Sequence, residues 1–132
     1  KMFAVEVQDH IMIGHSLPAE VFGPAQGLHG ATFTVNLAFF ASDIDKHGLV
    51  VDIGLATKVL SEVLEPLRYK NLDDIEQFKG KFTTTEFLCK YIFDQVLIEL
   101  KQGKLADDSR VEKLRVSLQE SYMARAWFEG EV

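Results

Sequence analysis

The chain has 132 residues, 47% of them hydrophobic and 26% charged, with a formal net charge of −6. That length and balance suit a single domain spanning 1–132 with a real buried core, and exclude a disordered chain. No apolar run approaches the ~20 residues of a membrane span, Lys and Arg form no stripe of the kind duplex binding requires, and one cysteine, Cys89, permits neither an intrachain disulfide nor a cysteine-based zinc knuckle.

The opening stretch, KMFAVEVQDH, lacks the apolar core of a signal peptide, so a cytoplasmic protein is expected. Residues 3–13 alternate like a strand, and 16–27 hold Pro18, Gly23, Pro24 and Gly27, so they read as a loop. The longest alternating run is 28–41. His29, Ala31, Phe33, Val35, Leu37 and Phe39 share its apolar face, with Thr32, Thr34 and Asn36 opposite. Residues 43–48 form a turn, and 49–51 can extend a strand end. Asp52 stands at an N-cap position, followed by a helical stripe of Ala56, Val59, Leu60, Val63, Leu64 and Leu67 that Pro66 brings to an end. A polar loop over 68–82 leads into the strongest helical pattern of the chain. Thr83 and Glu86 fit a capping box at its start, and Gly103 fits its stop. Residues 111–120 and 122–130 read as two strands joined at Ser121. The order β-β-α-α-β-β predicts an α+β fold: an antiparallel four-stranded sheet with both helices on one face. Such an open sheet has exposed edges, which closure by oligomerisation would remove.

Chemistry-bearing residues are few. His10 and His15 are five apart, so a regular strand sends them to opposite faces unless Gly14 forms a bulge. Catalytic zinc takes about three protein ligands and one open position. His15 and His29 therefore admit two readings: metal ligands, or strand-end residues satisfied by backbone. Cys89 reads as a core thiol. Glu120 ends a strand whose face carries Leu114, Val116 and Leu118. It is either an exposed strand end or a carboxylate that accepts paired N–H bonds from a guanidine-like ring edge. Glu86 can simply complete its cap.

The order of several short motifs resembles the 6-pyruvoyltetrahydropterin synthase family, which includes the bacterial 6-carboxytetrahydropterin synthases of the deazaguanine pathway. The likeness covers about residues 5–129. "IMIGH" places His15 where the family has its first zinc histidine. "HGA" places His29 on the first arm of a His-Gly-His motif. "GLVVDIG", "YKNLDD", "TTTEFL" and "LQES" follow in the family's order. The resemblance implies the tunnelling fold, with sheets joined into an oligomeric barrel and homo-hexamers built as dimers of trimers. It further implies a pterin-like or purine-like small-molecule substrate and lyase-type chemistry assisted by Zn2+ on His15 and His29. By the same resemblance Glu120, Thr84, Thr85 and Glu86 bind the ligand. No nucleic-acid or membrane partner is implied.

The departures are as specific as the matches. Ala25 stands where the family has its catalytic cysteine. Ala31 stands at the second arm of His-Gly-His. Arg68 and Tyr69 stand at the Asp-His pair. An alanine cannot move a proton, Arg is always charged, and Tyr titrates near pH 10. The resemblance thus leaves the catalytic residues open, with Tyr69 and Arg68 as candidates, and His10 or Glu20 as candidates for a third metal ligand. It implies either a rearranged enzyme or a pterin-binding relative without turnover.

Overall fold

A computed structural model describes residues 1–106 and 110–132. Four strands form one antiparallel sheet in the order β1-β2-β3-β4. They are β1 (Phe3–His15), β2 (His29–Ala41), β3 (Lys113–Ser121) and β4 (Ala124–Glu131). Two helices, α1 (Ile53–Leu64) and α2 (Thr85–Lys101), lie between β2 and β3 in sequence. The α+β class and the element order match the expectation.

Register explains which face is covered. Ile11 pairs with Phe33 and Val7 with Leu37, while Leu37 also pairs with Val116 and Val35 with Leu118. Every apolar alternate of the three strands therefore projects to the same side. Ala56, Val59, Leu60, Val63 and Leu64 of α1, and Leu88, Ile92, Val96 and Leu100 of α2, close over that side. The opposite face is mostly polar, with Gln8 donating to Asn36 across β1 and β2.

Several boundaries differ from the sequence reading. Strand β1 runs on to His15, because its pairing with β2 continues unbroken to His15↔His29. Gly14 therefore makes no bulge. The segment 16–27 contains a 3-10 stretch, Glu20–Gln26, in which Gly23 takes φ 53°. Residues 49–51 add no strand; Val50 and Val51 are buried side chains of a loop. Helix α1 closes at Leu64, and Pro66 sits in a following 3-10 turn, Glu65–Leu67. Asp52 is its N-cap, accepting from the Leu55 amide at 2.9 Å. The cap of α2 lies one residue later than the capping-box spacing suggests: Thr84 accepts from the Phe87 amide at 3.1 Å. Thr83 is thereby released for a different role.

Candidate functional site

The end of β1, the 3-10 stretch, the start of β2, the first turn of α2 and the end of β3 meet around a cleft of about 260 Å3. Odd-numbered residues of β1 and β2 face the helices, so His15 and His29 arrive there as register partners. Their rings meet edge to face, with centroids 4.6 Å apart. Ala25 lines the same cleft, as do Thr84, Thr85, Glu86 and Glu120. A second hollow of about 250 Å3 shares Thr85, Glu86 and Glu120 and extends the cleft towards Arg125.

Glu120 owes its placement to an irregularity. Between β3 and β4, Gln119 pairs with Arg125 but Ser121 pairs with Ala124, so the register slips and Glu120 is the extra residue. A bulge of this kind re-aims a side chain beside a site. The carboxylate is exposed at the mouth, alongside the α2 first turn.

Both histidines are held by the same device. The His15 Nδ1 lies 3.0 Å from the Thr83 carbonyl and 3.0 Å from its hydroxyl. The His29 Nδ1 lies 2.8 Å from the Gly27 carbonyl. A carbonyl only accepts, so each Nδ1 carries the proton and each Nε2 keeps its lone pair. Thr83 is 2% exposed and His15 3% exposed, so this contact is built into the core edge. Burial pushes the His15 pKa below its usual 6.5, and the neighbouring His29 adds to the effect. The Thr83 hydrogen bond and Glu120 oppose it more weakly.

That shift carries a pH expectation. The folded pKa lies below the unfolded value, so unfolding takes up a proton in the interval between them. The neutral ring's contribution is complete above about pH 6.5 and is lost as pH falls towards the folded value. Melting temperature, followed by circular dichroism, is expected to fall with acidification across this range. A His15→Gln chain should show a flatter profile, and an unchanged slope would refute the assignment to His15.

The remaining candidates lie elsewhere. Arg68 is engaged on four sides. It donates to the Asp9 carboxylate at 2.7 Å, the His10 carbonyl at 2.8 Å, Glu65 at 3.1 Å and the Ser61 hydroxyl at 3.4 Å. Tyr69 follows with φ 57° and an 81% exposed side chain, beside a separate groove that His29 also borders. His10 projects to the face of β1 opposite His15, and the Glu20 side chain is not among those lining the cleft. Cys89 is buried in α2, donates to the Ala126 carbonyl at 3.3 Å, and has its thiol pushed up to about 11 by burial. It is chemically quiet.

The structure also assigns site roles that sequence reading did not reach. Thr83 anchors His15. Asp73 accepts from the Ser16 amide at 3.2 Å and hydroxyl at 2.6 Å, pinning the chain next to His15. Phe22 and Phe82 pack with ring centroids 5.4 Å apart, and Phe22 walls the cleft. These contacts span up to 68 residues of chain, and no local spacing encodes them.

Fold and cleft together describe an α+β protein with a cleft lined by two imidazoles and two carboxylates. The family model for 6-pyruvoyl tetrahydropterin synthase matches residues 4–131, and the chain belongs to that family. It is 27% identical over 95 residues to 6-carboxy-5,6,7,8-tetrahydropterin synthase of Bacillus subtilis (strain 168). It is 31% identical over 98 residues to 6-pyruvoyl tetrahydrobiopterin synthase of Drosophila melanogaster. Each match covers 71% of this chain but only 65% and 58% of those relatives' lengths. In three dimensions it resembles the 6-pyruvoyl tetrahydropterin synthase of Caenorhabditis elegans, with a TM-score of 0.80, 23% identity, and 98% and 96% of the two chains covered. The Plasmodium vivax protein gives 0.79 at 17% identity, with 100% and 99% covered. At these identities the structural likeness establishes the fold. Among the described residues no helix is long and apolar enough to cross a membrane.

Proposed function

We propose that the cleft binds a pterin or a related purine-like ligand. Glu120 and Glu86 would take the donor edge of the ring, with Thr84 and Thr85 beside it. One observation carries this reading: residues from five separate segments, chosen by family resemblance, converge on one cleft. A carboxylate accepting two parallel N–H bonds fits an amino-pyrimidinone edge.

His15 and His29 suit zinc as a donor type. Their Nδ1 atoms are anchored to carbonyls, the arrangement that orients metal-ligating imidazoles. They are two donors only. Among the described residues no group of three His, Cys, Asp or Glu could hold a metal ion. When bound, zinc would supply Lewis-acid polarisation of a ligand oxygen. The chain itself would orient the ring and present two neutral imidazoles. Lyase-type chemistry here would need a rearranged proton-transfer set; its sequence candidates, Tyr69 and Arg68, do not line the cleft. Homo-oligomers with sites between subunits, hexamers by family resemblance, and a cytoplasmic setting complete the proposal.

A second reading has its own support. Ala25 places a methyl group in the cleft, and Arg68 is occupied by four hydrogen-bonding partners. Both favour a pterin-binding relative without turnover. Titration of the purified protein with neopterin, followed by pterin fluorescence, tests the common ground. Binding at about 10 μM or tighter is expected, and no saturable binding would sink the proposal. Incubation with dihydroneopterin triphosphate separates the two readings: slow turnover to any product supports the rearranged enzyme, and no turnover supports the binding relative. Weak or absent formation of 6-carboxytetrahydropterin is expected, and robust formation would refute the rearranged site.

A further inference from the structure

We infer that Phe22 determines specificity in the cleft: held in place by Phe82, its ring stacks on the ligand and selects a flat, fully conjugated pterin over a reduced, puckered one. The inference rests on the pterin reading above and adds the partner for the ring's face.

Hydrogen bonds at a ring edge fix a planar ligand in its own plane and leave both of its faces uncovered. A flat heteroaromatic ring also gains from an apolar or π surface laid against a face. Among the described residues that line the cleft, Phe22 carries the only benzene ring. Glu86 and Glu120 line the same hollow, so edge partners and a face partner occur together.

Phe22 lies in the 3-10 stretch Glu20–Gln26, which buries none of its residues. Its amide donates to the Ala19 carbonyl at 3.0 Å, and the Leu17 amide donates to the Ala25 carbonyl at 3.1 Å, so the segment closes on itself. Gly23 follows at once with φ 53°, a left-handed turn that a side chain would strain. A segment without buried side chains cannot fix Phe22 by packing of its own. The hold comes from Phe82, far along the chain, with ring centroids 5.4 Å apart and planes at 46°. Phe82 in turn directly precedes Thr83, which is buried and bonded to His15. Phe82 itself stays 46% exposed, and Phe22 is half-buried. An aromatic pair left partly open at a cleft has apolar surface that a stacked ligand removes from water.

A fully oxidised pterin is flat over both rings and offers its whole face to Phe22. Reduction to the tetrahydro level makes two ring carbons tetrahedral, puckers that half of the ligand and removes its π face. The amino-pyrimidinone edge is the same in both. Phe22 therefore reads the oxidation state of the ring, and the carboxylates do not.

The test is calorimetric titration of the purified chain, under exclusion of oxygen, with neopterin and with 5,6,7,8-tetrahydroneopterin. Neopterin is expected to bind about fivefold tighter. Phe22→Leu keeps apolar bulk and removes the π face. It should weaken neopterin by about fivefold, leave tetrahydroneopterin within about twofold, and bring the ratio of the two towards one. Phe22→Tyr should restore the ratio. Phe82→Leu should lower it part of the way, because Phe82 acts only through Phe22. Circular dichroism checks that each variant is folded. A ratio near one in the parent chain, or a ratio that neither Phe22→Leu nor Phe82→Leu changes, would overturn the inference and leave the pterin reading standing. Equal losses for both ligands would overturn it too, since a merely structural ring weakens them alike. Binding of neither ligand to the parent chain would overturn the inference and the pterin reading together.

Discussion

Glu120→Ala is expected to weaken neopterin binding by about a hundredfold, which corresponds to about 2.7 kcal/mol. The size follows from charge-assisted hydrogen bonds: a carboxylate accepting two N–H groups contributes roughly 1.5–3 kcal/mol. Glu120→Gln keeps one acceptor and adds a donor where the ring also donates, so an intermediate loss is expected. Stability should barely move, because Glu120 is exposed and sits at the register slip between β3 and β4. The melting temperature is expected to stay within about 2 °C of the parent. Fluorescence titration and circular dichroism on the same samples separate the two effects. A binding constant unchanged by Glu120→Ala would remove Glu120 from the site.

Arg68→Ala should do the reverse. Its guanidinium and the Asp9 carboxylate are only 21% and 20% exposed, and their atoms lie 2.7 Å apart. It also satisfies the His10 carbonyl on β1 and reaches Ser61 at the end of α1. Truncation strands a half-buried carboxylate and removes the tie between helix and strand. A loss of about 2–3 kcal/mol is expected, read as a fall in melting temperature of roughly 6–12 °C. Lys at this position cannot reproduce the fork and should recover only part of the loss. Neopterin affinity, measured well below the transition, should remain within about threefold. Tyr69→Phe is the matched control. Its side chain is 81% exposed, so stability should not change. If Arg68→Ala leaves the melting temperature intact but abolishes turnover of a dihydropterin, Arg68 is a catalytic residue rather than a brace.

The sequence by itself determined the face that is buried. Alternation in 28–41 and the stripe of Ala56, Val59 and Leu60 are periodic signals, and periodicity follows directly from strand and helix geometry. It determined the Asp52 cap as well, since the side chain meets an amide three residues on. It also determined the losses at Ala25, Ala31, Arg68 and Tyr69, because a missing nitrogen or thiol is visible in any conformation. The start of α2 was legible only to within a residue. Thr83, Thr84 and Thr85 offer equivalent hydroxyls, and local chemistry cannot choose among them.

Tertiary structure made that choice. Thr83 turns to His15, from which it is separated by 68 residues, and Thr84 becomes the cap. It also decided that Gly14 stays in register, which sends His10 away from His15, and that Glu120 stands at a slip in pairing and is aimed at the α2 first turn. Arg68, a poor base when read by type, became a brace between α1 and β1. Each of these outcomes depends on a partner far along the chain. Hydrogen bonds and register are settled between elements, and the residues within one element carry no record of the far partner's position.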